Sequence, residues 1–167
     1  MIWLLVLVAC LKWDGTGAVL FDEDFSQGKV GDVPTRMLVL GGDFTIRKAG
    51  QEQFLELTGE KVGLHAVMFG PAARDDVVVE ARVLGTRKGR RAFPSFGVGL
   101  NGVSGYRLMV SPAKRQLELF KGESRVASVP FTWKHGQWTH VQLKAAKGKE
   151  GWRLSARVWA KGEKTPP

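Results

Sequence analysis

Residues 95–143 read SFGVGLNGVSGYRLMVSPAKRQLELFKGESRVASVPFTWKHGQWTHVQL, and the alternation in this stretch decides the fold class. Apolar residues occupy every second position in three successive segments: Phe96, Val98 and Leu100; Tyr106, Leu108 and Val110; Leu117 and Leu119. Period-two alternation of this kind indicates half-buried β-strands. Asn101-Gly102 and Gly122 separate the segments, and these residue types favour turns. The stretch is therefore predicted to form successive antiparallel strands.

The same alternation extends through most of the remaining chain. The longest strand signal covers residues 76–86, with Val77, Val79, Ala81 and Val83 predicted to face a core and Val78, Glu80, Arg82 and Leu84 to face outward. Residues 37–40 and 44–48 are predicted to pair across the turn Gly41-Gly42, and residues 152–160 to point Trp152 inward and Trp159 outward. No segment of ten or more residues shows helical periodicity. The fold class is therefore predicted to be all-β, with about eleven short strands in an antiparallel two-sheet β-sandwich.

Gly97, Gly99 and Gly102 also match the spacing G-x-G-x-x-G of a dinucleotide-binding loop. That reading requires a helix that opens at the third glycine, because the helix N-terminus holds the pyrophosphate. A turn and another alternating segment follow instead. The glycines are therefore predicted to belong to a β-hairpin.

Composition limits the chemistry that this chain can perform. Its 167 residues allow one domain with a proper core, and its net charge of +9 is spread over most predicted strands and loops. The only cysteine is Cys10. A mature chain without cysteine has no disulfide bond, no thiolate nucleophile and no Cys-based zinc site.

The first 18 residues are predicted to be a signal peptide, followed by a β-sandwich domain over residues 19–167. The apolar run of residues 1–10 suits the hydrophobic region of a leader, and Thr16 and Ala18 are small residues placed for cleavage before Val19. Cys10 ends a lipobox-like segment, so a lipoprotein is an alternative. Either form predicts export to the periplasm, the cell surface or the extracellular space. The other alternative is a buried first strand.

Two charged clusters are candidate ligand sites. Four cations stand in a loop of five residues and could hold sulfates, uronates or phosphates, or simply be solvated: Arg87, Lys88, Arg90 and Arg91. Asp22, Glu23 and Asp24 follow Phe21 on a short strand. Asp24 is the candidate ligand of a structural calcium ion, and a solvated acidic edge is the alternative.

No catalytic signature is present. The motifs H-E-x-x-H, G-x-S-x-G and G-K-[ST] are absent. Glu56, Glu80 and Glu118 stand singly on separate strands, so paired carboxylates would form only if the fold brought them together. Aromatic rings interleaved with polar groups suit glycan binding, with core packing as the alternative for each tryptophan. The candidate ligand-binding residues are Asn101, Tyr106, Arg107, Trp133 and His140.

The succession YRLMV (residues 106–110), LELF (117–120) and WTHVQL (138–143) resembles the concanavalin A-like jelly roll shared by laminin-G-type domains and family-16-like glycosidases. DEDF (22–25) and VLGGDF (39–44) resemble exported bacterial members, including those described as 3-keto-disaccharide hydrolase-like. The E-x-D-x-E run of the family-16 hydrolases is absent, so their catalytic residues have no counterpart here. Domains of this kind usually close with a further strand that pairs near the first, and the resemblance therefore leads us to expect a sandwich that lacks its closing strand.

The resemblance implies an exported, non-catalytic carbohydrate-binding or adhesion module. A saccharide-acting hydrolase and a purely structural surface domain are the alternatives. The expected partner is a glycan or polysaccharide, including an anionic polysaccharide, and neither a nucleic acid nor a transmembrane span is expected. No cofactor is expected other than the calcium ion considered above.

Overall fold

The chain folds into β-strands in the computed structural model, which describes residues 18–58, 63, 65–74, 76–87, 89 and 92–167, together with the backbone of strand β1. The strands are β1 (Leu4–Trp13), β2 (Val19–Glu23), β3 (Met37–Gly41), β4 (Asp43–Ala49), β5 (Glu52–Thr58), β6 (Ala66–Phe69), β7 (Val77–Gly85), β8 (Phe96–Leu100), β9 (Tyr106–Ser111), β10 (Gln116–Lys121), β11 (Ser124–Pro130), β12 (Trp138–Gly148) and β13 (Gly151–Ala160). One 3₁₀ turn, Pro112–Lys114, joins β9 to β10. Within this part of the chain, no helix is long and apolar enough to cross a membrane.

These strands form three antiparallel sheets. The large sheet has the order β13-β12-β7-β1-β5-β4, with β2 also paired to β1. The four-stranded sheet has the order β11-β10-β9-β8, and the small sheet pairs β3 with β6. The predicted all-β class with antiparallel sheets is therefore confirmed.

A single apolar core lies between the large and the four-stranded sheets. The large sheet contributes Val79, Ala81, Val83, Val141 and Leu143, and the four-stranded sheet contributes Phe96, Val98, Leu100, Leu108 and Val110. Strands β7 and β8 and the first half of β12 bury every second residue, because successive side chains point to opposite faces of a sheet. The arrangement is β-sandwich-like, and the predicted inward faces of β7, β8 and β9 are confirmed.

The predicted hairpin across Gly41-Gly42 is wrong. Strand β3 pairs with β6, whereas β4 pairs with β5, so the chain passes from one sheet to another at this point. Gly42 makes the corner with φ 95°. A Cβ atom there would come within 2.7 Å of His65 Nδ1 and 2.8 Å of Leu57 Cδ1, so the corner needs glycine. The two glycines that suggested a hairpin turn form a crossing between sheets instead.

The two tryptophans of β13 differ in burial from what the alternation suggested. Trp152, expected to point into the core, is 55% exposed, whereas Trp159 lies on the outer face as predicted but is only 9% exposed because it stacks on His140. Strand β13 is the edge of the large sheet, and the four-stranded sheet packs mainly on β7 and β12. The four-stranded sheet therefore covers the start of β13 poorly, which leaves Trp152 exposed.

The glycine-rich segment forms a hairpin, as predicted. Strands β8 and β9 pair from Phe96 opposite Val110 to Leu100 opposite Tyr106. Asn101 and Gly102 both adopt left-handed conformations, with φ of 61° and 67°. No helix opens at Gly102, so the anion-binding helix terminus that a dinucleotide needs is not formed.

The predicted leader, residues 1–18, lies outside the described residues except for Ala18 and the backbone of β1. That backbone runs between β7 on one side and both β5 and β2 on the other. This arrangement corresponds to the alternative interpretation, in which these residues form a first strand. The leader, its cleavage site and the lipidation of Cys10 stay predictions.

Candidate functional site

The alternation that sends apolar side chains to the core sends polar ones to two outer faces. On the four-stranded sheet this face carries Arg107, Met109, Ser111, Glu118 and Phe120. On the large sheet it carries Glu80, Arg82, His140, Gln142 and Trp159. Each face carries one polar cluster, and the two clusters lie on opposite sides of the core.

The Arg107 pocket is a depression of about 250 Å³ on the outer face of the four-stranded sheet, lined by Ser95, Arg107, Met109, Ser111, Lys114, Glu118 and Phe120. Strand register places its walls, because Met109 stands opposite Glu118 and Arg107 opposite Phe120. On the β8 side, the residues facing Met109 and Arg107 are Gly97 and Gly99. Those two positions carry no side chains, and β9 packs closely over them: a Cβ atom at Gly97 would come within 2.9 Å of Met109 Sδ, and one at Gly99 within 3.0 Å of Arg107 Cγ.

Glu118 anchors the floor of this pocket. It is 1% exposed. Its carboxylate accepts hydrogen bonds from Ser111 Oγ at 2.5 Å, Lys114 Nζ at 3.0 and 3.2 Å, and Arg125 Nη1 at 3.1 Å. The Ser111 hydroxyl first, and then the two cations, lower the pKa of Glu118 despite its burial. Both oxygens are occupied, so Glu118 is an ionised structural anchor.

Arg107 is held in place without a neutralising partner among the described residues. Its Nη2 donates to the carbonyl oxygen of Gly122 at 2.6 Å, and its guanidinium carbon lies 5.8 Å from the centroid of the Phe120 ring. Its buried Nε has no hydrogen-bond acceptor in the described part of the chain. No described carboxylate forms an ion pair with it. The guanidinium is therefore a positioned cation on an open face.

The His140 cluster occupies the outer face of the large sheet. His140 Nδ1 lies 3.0 Å from Glu80 Oε1, and Gln142 Nε2 donates to Glu80 Oε2 at 2.9 Å. The imidazole stacks on Trp159, its cross-strand neighbour, with ring centroids 4.7 Å apart. When Nδ1 donates to the carboxylate, Nε2 of a neutral ring is left as an acceptor. This arrangement can orient a histidine for proton transfer.

The five predicted ligand-binding residues do not share a surface. Arg107 lines the pocket, whereas His140 lies on the other sheet. Asn101 is exposed in the β8–β9 turn. Tyr106 packs against the core, and Trp133 lies against the core with its ring 6.1 Å from that of Phe96. The set is dispersed because alternate residues of one strand face opposite sides of the sheet.

The predicted polyanion loop is described only at its first cation. The backbone nitrogen of Arg87 donates to His135 Nδ1 at 3.3 Å. Lys88, Arg90 and Arg91 lie outside the described residues, so polyanion binding by this loop stays a prediction.

Asp24 acts as a turn cap in the structure. Its Oδ1 accepts the backbone N–H of Ser26 at 2.9 Å, and this hydrogen bond is the largest cause of the lowered pKa of Asp24. No group of three or more His, Cys, Asp or Glu side chains suited to a metal ion occurs among the described residues. The suggested calcium site at Asp24 therefore has no ligand cluster in that part of the chain.

The three single glutamates do not converge. Glu118 is on the four-stranded sheet, whereas Glu56 and Glu80 are on the large sheet. Glu56 and Glu80 flank β1, two strand spacings apart and displaced by four residues along β7, which separates their Cα atoms by roughly 16 Å. Glu56 is also ion-paired with Arg47 at 3.1 Å. Glycosidase carboxylates stand about 5 to 9.5 Å apart, so the fold does not form such a pair.

Most of the pocket was not predicted from the sequence. Ser95, Met109, Ser111, Lys114 and Phe120 were not among the candidate residues, although Arg107 was. Met109 and Ser111 could have been identified from the sequence, because they follow Arg107 at every second position and therefore share its face of β9. Phe120 could be assigned to the pocket only from the register between β9 and β10, and no local motif reveals that register.

Comparison of the chain with protein-family models, with curated proteins and with solved structures finds no significant match.

Proposed function

We propose that this chain is an exported, non-catalytic carbohydrate-binding module of the concanavalin A-like jelly-roll type. Its glycan contact is the outer face of the four-stranded sheet. The observation that carries the proposal is the Arg107 pocket, an open depression on the outer face of the four-stranded sheet. Two antiparallel sheets around one core support the jelly-roll assignment. Export is proposed from the apolar run of residues 1–10 in the sequence.

The pocket combines the two kinds of surface that a sugar offers a protein. Met109 and Phe120 supply apolar area for the face of a pyranose ring, while Arg107 and the hydroxyl of Ser95 can bond to oxygen atoms at its edge. Ligand sites typically combine apolar walls with a few placed polar groups, and those for drug-sized molecules measure roughly 300–1,000 Å³. The smaller volume here suits one sugar unit.

The geometry of the acids favours binding over hydrolysis. A general acid for glycoside cleavage needs a raised pKa, whereas that of Glu118 is lowered. Both oxygens of Glu118 are already hydrogen-bonded, and the other two glutamates considered lie too far apart to act together. These acids would therefore not cleave a sugar that is bound in the pocket.

Affinity electrophoresis through gels containing neutral and acidic polysaccharides tests this function. At least one polysaccharide is expected to retard the protein, and Phe120→Ala is expected to abolish the retardation. Trp152→Ala, which removes an exposed aromatic ring from the other sheet, is the matched control and should migrate like the parent. If no glycan retards the parent protein, the proposed function fails.

A second candidate function is a saccharide-acting hydrolase of the 3-keto-disaccharide hydrolase-like kind. The observation that favours it is the hydrogen-bonded pair of His140 and Glu80, in which the carboxylate orients the imidazole. Turnover of a disaccharide panel that is lost in both His140→Asn and Glu80→Gln would support it. No turnover by the parent protein would remove it, and failure of both candidates would leave the structural surface domain.

A further inference from the structure

We infer that the Arg107 pocket selects a sugar that carries one oxyanion, either the carboxylate of a uronate or a sulfate ester. This inference rests on the proposed glycan binding and adds the class of ligand. The shared chemistry is a negatively charged group with two or three acceptor oxygens, attached to a pyranose ring.

The pocket carries uncompensated positive charge. Among the described residues its lining holds Arg107, Lys114 and one acid, Glu118, and Arg125 pairs with Glu118 from outside the lining, so these four side chains carry a net charge of +2. Glu118 is already saturated by Ser111, Lys114 and Arg125 and accepts nothing from Arg107. An incoming anion would therefore meet cations without displacing an existing carboxylate.

Arg107 is preorganised. Its Nη2 is fixed by the Gly122 carbonyl, and its guanidinium carbon lies over the Phe120 ring, 5.8 Å from the centroid. A guanidinium presents donors in a rigid fork that matches the oxygens of a carboxylate or sulfate. Because the side chain is already held, less conformational entropy is lost when it binds an anion.

The apolar part of the lining distinguishes a charged sugar from a free inorganic anion. Met109 and Phe120 line the same pocket as the cations. A sulfate ion has no apolar surface to place against them, whereas a pyranose ring does. A neutral sugar, in turn, would not use the two surplus charges. A sugar with one oxyanion uses both halves of the pocket.

Isothermal titration calorimetry at low ionic strength tests the inference with four probes: methyl glucuronide, glucose 6-sulfate, methyl glucoside and inorganic sulfate. We expect one or both charged sugars to bind at least tenfold more tightly than methyl glucoside and than inorganic sulfate. Binding of the charged sugars should weaken as salt is added, because the attraction is electrostatic. Which charged sugar binds more tightly separates the carboxylate from the sulfate ester.

Arg107→Gln is the test variant, and Arg153→Gln is the matched control. Arg153 is an exposed cation on β13 of the large sheet, so both variants remove one positive charge. Arg107→Gln should lower the affinity for charged sugars about tenfold to a hundredfold, whereas Arg153→Gln should leave it unchanged. Arg107→Lys should be intermediate, because it keeps the charge and loses the fork. Thermal unfolding of each variant checks that it folds.

The outcomes separate this inference from the proposed function. If charged and neutral sugars bind equally well, the inference is overturned and glycan binding stands. If Arg107→Gln and Arg153→Gln weaken binding equally, the effect is one of net charge and the inference is overturned. If inorganic sulfate binds through Arg107 as tightly as the charged sugars, a free-anion site replaces the inference and the glycan function loses its support. If none of the four probes binds, the inference is overturned, and polysaccharide electrophoresis decides the function independently.

Discussion

The imidazole of His140 lies parallel to the indole of Trp159, with ring centroids 4.7 Å apart and 10° between the ring planes. The two residues are direct cross-strand neighbours on β12 and β13. Both point away from the core, yet Trp159 is only 9% exposed. Stacking on the outer face therefore helps to bury an aromatic side chain that the alternation of β13 assigns to solvent.

We expect Trp159→Ala to lower the free energy of unfolding by about 3 kcal/mol, because it removes a large, nearly buried ring from a cross-strand stack. Trp152→Ala is the control on the same strand. Since Trp152 is 55% exposed, its loss should change stability by less than about 0.5 kcal/mol. Urea unfolding followed by far-UV circular dichroism measures both. Equal effects of the two substitutions would contradict the stacking argument.

We expect Glu118→Gln to lower the free energy of unfolding by about 1–3 kcal/mol at neutral pH, because it weakens hydrogen bonds from one hydroxyl and two cations. The pKa of Glu118 is lowered from 4.5 in the folded protein, chiefly by the Ser111 hydroxyl. A depressed folded pKa stabilises the protein above the unfolded value and stops doing so as pH falls through the folded value. The difference between parent and variant should therefore be constant above about pH 5.5 and shrink below pH 4.5.

Urea unfolding between pH 3 and pH 7 measures this dependence on Glu118. Glu123→Gln, in the exposed β10–β11 turn, is the control for loss of one negative charge. It should change stability by less than about 0.5 kcal/mol at neutral pH. A gap between parent and Glu118→Gln that stays constant down to pH 3 would show that the ionised carboxylate does not stabilise the fold.

We expect Gly97→Ala to be strongly destabilising, by about 2 kcal/mol or more, because a Cβ at this position would overlap the carbonyl oxygen of Leu108 on the paired strand. Gly148→Ala is the control within a strand, since its nearest neighbour, the carbonyl oxygen of Gly151, would be 3.3 Å away. Unfolding midpoints of the two variants compare them. Similar stability of both variants would mean that β8 and β9 can separate without cost.

The sequence predicted individual strands well because each strand carries its own alternation. Val77, Val79, Ala81 and Val83 were assigned to the core, and the last three are 5% exposed or less. Which strands pair is a different question, because it depends on contacts between distant segments. The exchange of partners at Gly42 illustrates this: a local turn signal there is compatible with a hairpin and with a crossing between sheets.

The candidate site was less predictable than the fold for the same reason. Arg107 could be selected as a polar residue next to Tyr106 on an alternating strand, but its neighbours were set by register with β10 and by the absence of side chains at Gly97 and Gly99. The buried ionised state of Glu118 depends on Ser111, Lys114 and Arg125, which lie on three different elements. Single acids that looked alike in the sequence thus have different environments in the fold.

Residues 4–13 have two competing interpretations, and one truncation separates them. As strand β1 they pair with β7 on one side and with β5 and β2 on the other, whereas as part of a leader they would be removed before Val19. We expect a chain of residues 19–167 to unfold at a clearly lower urea concentration than residues 1–167, because β7 would lose the partner that joins it to β5. Removal of residues 164–167 is the control for shortening and should leave the midpoint unchanged. Equal midpoints for residues 19–167 and 1–167 would contradict the strand and favour the leader, and the intact mass of the exported protein would then locate the cleavage site.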